Sequence, residues 1–523
     1  MAWTSLRHLA WLGLVALAAC THSDLRPDYP RTPSTVLPVQ ADAPLVAYAA
    51  RMTAQHGADS GVRLISDSGD ALLARIALAD RATHSLDIQY YMFHSDATGE
   101  LLAQRLLAAA DRGVRVRLLL DDLHVAGNDK VLRVLDGHRN IEIRLFNPFL
   151  ERNSSLWGMG KQFAGDFSRL NRRMHNKAYI ADGAMAIVGG RNIGDEYFDA
   201  DNNVNFRDLD VLVVGPVVAE VGQAFDRYWN STQSFPVAAF HHHVPSPEEL
   251  EDLRTSMATH ARTFSQGSYA QNLVARVGDL ARETPAKEWA WGQASYLSDD
   301  PEKGDPAANS PDLHMAPAIR EWLDRAQDRL TLISPYFVPG KKGVAYLQGM
   351  RERGVTVEVL TNSLASTDAG NVYVAYASYR PPLLKAGVKL YELKPDARRS
   401  GGGSHFFGSS SGANSLHAKA FVVDAQHAFV GSMNLDPRSI DINTEDGVIV
   451  HSPALAKALL SIFADATKPE HSYHVLLDAN GGVYWEGKSP NGEVIRYDHS
   501  PETSWWRRFK VNVGGLLPIE GLL

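Results

Sequence analysis

The chain has 523 residues, more than one hydrophobic core usually serves, and its 45% hydrophobic composition can fill two. With 52 Lys+Arg against 60 Asp+Glu, the net charge of -8 excludes the electrostatic footprint of a protein that coats long nucleic acid. Cys20 is the only cysteine, so neither an intrachain disulfide nor a cysteine-based metal centre can form.

At the front, residues 1–20 (MAWTSLRHLAWLGLVALAAC) set Arg7 before an apolar stretch too short to be a convincing membrane span. The stretch ends Leu17-Ala18-Ala19-Cys20, as a bacterial lipoprotein signal does, with an ordinary signal peptide as the alternative. Acyl chains on Cys20 would each add about 0.8 kcal/mol per buried CH2. The expectation is an exported bacterial lipoprotein facing the periplasm. Thr21 rather than Asp after Cys20 favours the outer membrane over the inner one. Residues 21–58 follow as a tether, polar and proline-containing from Leu25 to Pro38.

Residues 59–235 and 315–470 then alternate strand-like and helix-like patterns in the same order, which predicts two similar domains of an α/β fold. In the first, His84 to Phe93 reads as a strand, Glu100 to Arg112 as an amphipathic helix and Val114 to Leu120 as a strand. The second answers with a strand-like run ending at Phe337, a helix ending at Gly354 and a strand to Leu360. Between them, residues 236–314 read as a connecting segment with Pro/Asp/Glu-rich loops, and residues 471–523 as a C-terminal tail. The triplet His241 to His243 lacks helical ligand spacing and is expected to be a solvated loop. The Gly/Ser-rich run Arg398 to Ser415 is either a flap or a surface loop.

One motif occurs in both halves. MHNKAYIADGAMAIVGGRNIGD carries His175, Lys177, Asp182, Gly190 and Asn192, and LHAKAFVVDAQHAFVGSMNLDP carries His417, Lys419, Asp424, Ser432 and Asn434 at the same spacing. On a strand, residues i and i+2 share a face, so each His and Lys project together. Downstream, FRDLDVLVVGPVV aligns Asp208 with Glu445 of NTEDGVIVHSPAL.

If the halves pack about an approximate twofold axis with the motifs facing, one site holds everything twice. Lys177 and Lys419 bring charge, Asn192 and Asn434 amide donors, and the small turns at Gly190 and Ser432 a close backbone approach, a set suited to one phosphodiester. One imidazole can attack phosphorus while the other protonates the leaving oxygen, with Asp208 and Glu445 orienting them. The two lysines supply the charge, so neither metal nor cofactor is expected. Asp182 and Asp424, five residues beyond the lysines, are read as turn-holding residues.

The paired His-x-Lys-x4-Asp motif with its Gly-Gly/Ser-x-Asn turn resembles the phospholipase D superfamily. DFSRLNRRMHNK, VGGRNIGDEYF, TNSLASTDAGNVYVAYASYR, GSMNLDPRSIDINTEDG and LLPIEGLL are similar to its cardiolipin synthase branch, in the members lacking paired N-terminal membrane helices. The resemblance, spanning about Asp59 to Leu523, implies two α-β-α sandwich domains related by a pseudo-twofold axis around one shared active site. It implies His175 and His417 as nucleophile and acid/base, with Asp208 and Glu445 as their partners. Lys177, Lys419, Asn192 and Asn434 become phosphate binders, Ser432 replacing the second glycine with a hydroxyl that could add a phosphate donor. The implied activity is phosphatidyl transfer forming cardiolipin through a phosphohistidine, with phosphatidylglycerol as acceptor, a membrane as setting and no nucleic acid partner. Hydrolysis by water is the alternative, ahead of a nuclease or a non-catalytic lipoprotein. Apolar lining is expected from Tyr90, Tyr91, Phe93, Tyr336 and Phe337.

Overall fold

The computed structural model describes residues 24–514 apart from 126–128, 153–155, 242, 284–288, 309, 398–405, 408–411 and 490. Cys20 with its signal-like segment, His242 and most of the Gly/Ser-rich run lie outside the described residues. Among the described residues, no helix is long and apolar enough to cross a membrane.

The repeated local sequence builds repeated local structure. In the first half, the Asp96 side chain caps helix Ala97–Asp111 by accepting from the Gly99 amide, and Gly113 ends it at φ 98°. Helix Gly340–Glu352 of the second half ends the same way on Gly354 at φ 92°. The Arg-Gly pair common to ADRG and RERG is therefore a left-handed helix stop that only glycine adopts without strain. Each helix returns the chain to a parallel strand: Ser85–Tyr90 runs beside Arg115–Asp121, and Arg329–Ile333 beside Thr356–Asn362. The aspartates of the motifs hold the adjoining turns. Asp182, at φ 51°, accepts from the amides of Thr83, His84 and Ser85, and Asp424, at φ 50°, from those of Gln327, Asp328 and Arg329.

Both halves contribute to one 18-stranded sheet. The seam is short and antiparallel: Ser60 faces Gly292, Gly61 faces Trp291 and Val62 faces Ala290. The remainder of strand Ala290–Ser298 pairs with Asp446–His451. A second crossing pairs Val204–Arg207 with Ala413–Leu416 in parallel. Helices Val217–Trp229 and Pro453–Ala466 cover this junction, and their Val221, Phe225, Leu455 and Leu459 belong to a core cluster drawn from both halves. Each fully buried side chain of that kind contributes roughly 1.5–3 kcal/mol.

Three segments differ from their sequence reading. The run from Leu25 to Pro38 is laid along the first half rather than hanging free: Thr32, Ser34 and Thr35 carbonyls accept from Arg144, Arg117 and Arg115, and the Val36 amide donates to Asp226. Its few apolar residues hid this, because the contacts are made by its backbone. The connecting segment holds helices Pro247–Gln266 and Ser268–Glu283 and, in Ala290–Ser298, the strand that opens the second half and joins the sheets. The tail adds Ser472–Leu477, Val483–Lys488 and Val494–Tyr497 to the edge of the second half.

Candidate active site

The two motif histidines sit just ahead of strands Ala178–Ala181 and Lys419–Val423, where the halves meet. Each is fixed by the other half: the His175 amide donates to the Thr444 carbonyl and the His417 amide to the Arg207 carbonyl, both at 2.8 Å. The side chains cross over in the same sense. His175 Nδ1 lies 2.7 Å from Glu445 Oε2, and His417 Nδ1 lies 2.6 Å from Asp208 Oδ2. With Nδ1 engaged by a carboxylate, the tautomer is set and Nε2 is the nitrogen left for a reacting atom. Each motif histidine thus takes its carboxylate partner from the opposite half.

Both lysines are buried beside these rings. Lys177 Nζ donates to the His175 carbonyl at 2.6 Å, and Lys419 Nζ lies 2.9 and 3.1 Å from the two ring nitrogens of His417. Burial lowers both ammonium groups, Lys419 to about 8. Burial and the two lysines hold the His175 imidazole well below its ordinary range, and burial and Lys419 lower His417 while Asp208 pulls it back up. The carboxylates diverge. Burial opposes ionisation of Asp208, yet His417 and Lys419 outweigh it and hold this group well below the usual carboxylate range. Burial dominates at Glu445, raising it to about 7 against the pull of Lys177.

The small turns explain their glycines. A Cβ on Gly189 would stand 2.3 Å from Asp210 Oδ1, and one on Gly431 2.3 Å from the Asp446 carbonyl, so both first positions are closed to side chains. At the second position, a Cβ on Gly190 would meet Asp208 Oδ1 at 2.1 Å, whereas Ser432 stands there in the other half. The Ser432 hydroxyl donates to Glu445 Oε2 at 2.6 Å. This corrects the expectation of an extra phosphate donor: Ser432 is fully buried, and its proton is committed to the carboxyl. Asn192 Oδ1 accepts from the Met92 amide and its Nδ2 donates to Tyr197 Oη at 2.8 Å, while Asn434 Oδ1 is buried with no hydrogen-bond partner among the described residues.

Of the aromatic residues expected at the site, Tyr91 is there, its ring 5.0 Å from that of His175. Tyr90 is not: it is buried in the core and accepts from Arg75 at 2.9 Å. Phe337 is buried in the second core, and Tyr336 turns its hydroxyl to Asp368 at 2.6 Å. Alternation along the strand separates Tyr90 from Tyr91. Tyr197 and Phe206, with ring centroids 5.2 and 5.0 Å from His417, complete the aromatic surround. His94, Asp96 and Glu196, half-buried, place three potential ligand atoms within 4.8 Å of one another, a grouping the dispersed sequence positions did not announce.

Residues 75–229 and 319–466 match the family described as cardiolipin synthase, PLD-like domain. The chain belongs to this family. It is 40% identical to cardiolipin synthase C of Escherichia coli (strain K12), over 94% of this chain and 100% of that one. It is 26% identical to the major cardiolipin synthase of Bacillus subtilis (strain 168), over 78% and 69%. The phosphatidylserine synthase of Haemophilus influenzae Rd KW20 superposes with a TM-score of 0.54 at 12% identity, covering 90% of this chain and 96% of that one, a likeness of fold.

Within this family's paired-motif site, Asp299 and Lys303 were missed by sequence reading because they fall in the loop-like connecting segment. Asp299 Oδ2 accepts the Glu445 amide at 2.7 Å and is itself bound by Lys303 Nζ at 2.9 Å, so the buried pair positions Glu445. Asp446, which takes the Tyr296 hydroxyl at 2.8 Å and the Lys177 amide at 3.1 Å, was equally hidden beside the more conspicuous Glu445. The aligned segment of the first half has Leu209 at its position, so the repeat does not single it out.

Proposed function

We propose that the protein is a phosphatidyltransferase that forms cardiolipin through a phosphohistidine. The observation that carries this reading is the crossed pair of histidine-carboxylate contacts, which supplies two imidazoles of different proton affinity at one junction. His175, the more strongly depressed of the two, is neutral, and its Nε2 attacks phosphorus. His417, lowered less than His175 because the ionised Asp208 pulls it back up, takes the acid role and delivers the proton to the departing headgroup oxygen. A hydroxyl of phosphatidylglycerol then gives its proton to His417 and attacks phosphorus, the P–N bond breaks, and His175 returns neutral. Lys177, Lys419, Asn192 and Asn434 stabilise the phosphoryl oxygens. Because the lysines supply the charge, chelators are expected to leave the rate unchanged.

The setting we propose is a membrane surface, with Cys20 as the acylated anchor of an exported protein. The exposed rings of helix Trp505–Gly514 support the membrane part: Trp505, Trp506 and Phe509 are 66%, 55% and 42% exposed, while Arg507 ties the helix to the Thr367 carbonyl at 3.1 Å. Aromatic rings with basic neighbours suit a headgroup boundary. The deciding experiment is incubation of the purified protein with phosphatidylglycerol in vesicles and identification of products by mass. Cardiolipin in excess of phosphatidic acid is expected. Phosphatidic acid as the dominant product at every acceptor concentration would make the protein a phospholipase D.

A further inference from the structure

An apolar cavity of about 140 Å³ lies inside the first half, between its sheet and three helices. Val116, Leu118 and Ile143 line it from strands Arg115–Asp121 and Ile141–Phe146; Leu106 and Met257 close it from helices Ala97–Asp111 and Pro247–Gln266. Its rim is polar, with His94 on one side and Glu100, in contact with His260 Nδ1, on another. Two cavities of the second half, beside Phe421 and beside Tyr376, measure only about 10 Å³. An apolar void of about 150 Å³ stays dry and admits an apolar guest of benzene size, and left empty it weakens the fold.

The rim connects to the active site through a series of rings. His175 is 5.0 Å from Tyr91, Tyr91 is 4.9 Å from His124, and His124 is 6.4 Å from His94, centroid to centroid. Tyr91, Met92, Phe93 and His94 are all half-buried, so this run is a surface track from the histidines to the opening. Phe93 both adjoins the track and lines the cavity. Helix Pro247–Gln266, which roofs the cavity, belongs to the segment joining the two halves.

We propose that this cavity receives the methyl-terminal part of one fatty-acyl chain of the phosphatidyl donor, while the phosphodiester lies between His175 and His417. The inference rests on the phosphatidyltransferase reading and adds a chain-length-sensing subsite to it. A headgroup held at the histidines leaves its chain to follow the ring track, and only a long chain reaches past His94 into the void. Each methylene that enters leaves water for an apolar surface.

Ala103, half-buried on helix Ala97–Asp111, also lines the cavity, and Ala103→Phe would occupy it. Rates on dihexadecanoyl and dihexanoyl phosphatidylglycerol in the same mixed micelles give a long-to-short ratio. This ratio should fall about tenfold in the variant, the transfer free energy of roughly two methylenes. Cleavage of the chainless diester bis(p-nitrophenyl) phosphate should stay at the wild-type rate, which also reports that the variant is folded. An unchanged ratio with intact diester cleavage overturns the proposal. As a measurement independent of turnover, phosphatidylglycerol bearing a diazirine near the methyl end of one chain should label the stretch from Leu253 to His260 in the unaltered protein. Labelling confined to other segments overturns the proposal even where the variant fails to fold. Labelling there without transfer of any phosphatidyl group would retain the cavity and sink the phosphatidyltransferase reading instead.

Discussion

The two half-sites share a backbone and differ in their chemistry. His417 leans on Asp208 over a glycine, Gly190; His175 leans on Glu445 beside a serine, Ser432. These exchanges are coupled through space. The shorter aspartate places Oδ1 where any side chain at 190 would stand, so Asp208 demands the glycine. Glu445 vacates that space and leaves room for a hydroxyl that bonds to its own Oε2. The outcome is one carboxylate held ionised and one raised to about 7 in the same buried junction. In the mechanism proposed above, this difference is what gives the two histidines of one repeat different assignments, as acid and as nucleophile.

The comparison breaks most visibly at the histidines. His175→Ala should lower transfer by on the order of a million-fold, as loss of a nucleophile does, and no phosphorus should be found on the protein by mass. His417→Ala should cost on the order of ten-thousand-fold with natural lipids. It should still form a phosphohistidine from a donor whose leaving group needs no proton, such as a p-nitrophenyl ester. Phosphohistidine in His175→Ala but not in His417→Ala would reverse the two roles.

The carboxylates come next. Asp208→Asn keeps the shape but removes the charge behind His417, and about a ten-thousand-fold loss of kcat is expected, as when a relay imidazole loses its tautomer. Glu445→Gln imitates the protonated form that Glu445 already approaches near pH 7, so a loss of only about tenfold is expected, below the roughly hundredfold or more of full acid-base support. Equal losses in the two variants would erase the distinction between the half-sites.

The lysines sharpen it further through pH. The Lys419 value is depressed from the ordinary lysine range to about 8, so its cation is present below that pH and lost as pH rises through it. Activity should therefore decline above pH 8, and Lys419→Arg, which stays charged, should remove that alkaline limb even with a reduced rate. A limb that persists in the arginine variant assigns it to another group. The smallest effects are on stability. Ser432→Gly loses two buried hydrogen bonds, the one to Glu445 and the one accepted from the Asp446 amide at 2.9 Å, and is expected to cost about 2 kcal/mol of unfolding free energy. Gly190→Ser should cost more, about 3 kcal/mol, because the new side chain collides with Asp208. Denaturant unfolding measures both.

The repeat was legible because it is a matter of spacing. Both histidines, both lysines, both asparagines and the aligned Asp208 and Glu445 could be read from intervals alone, and the α/β pattern from alternation. What stayed hidden depends on proximity across the chain. Asp299 sits 146 residues from the Glu445 amide that it holds. Which carboxyl serves which histidine could not be read either, since the exchange between halves leaves no trace in one strand's pattern. The strand Ala290–Ser298 was overlooked for a similar reason. Its burial is mixed, with several half-buried positions and two exposed, so it lacks the apolar run of a central strand.

That strand has a consequence during synthesis. Until Ala290 and Trp291 leave the ribosome, the strand Ser60–Ile65 has a partner on one side only, in Asp210–Val214. The first half would emerge with a bare sheet edge and with His417's carboxylate, Asp208, waiting for an imidazole 209 residues downstream. Open strand edges invite pairing with other chains, and contacts this distant in sequence form slowly. A nascent chain stalled within the connecting segment is thus the species most exposed to misassembly, and pausing there should favour aggregates that pausing after residue 298 does not.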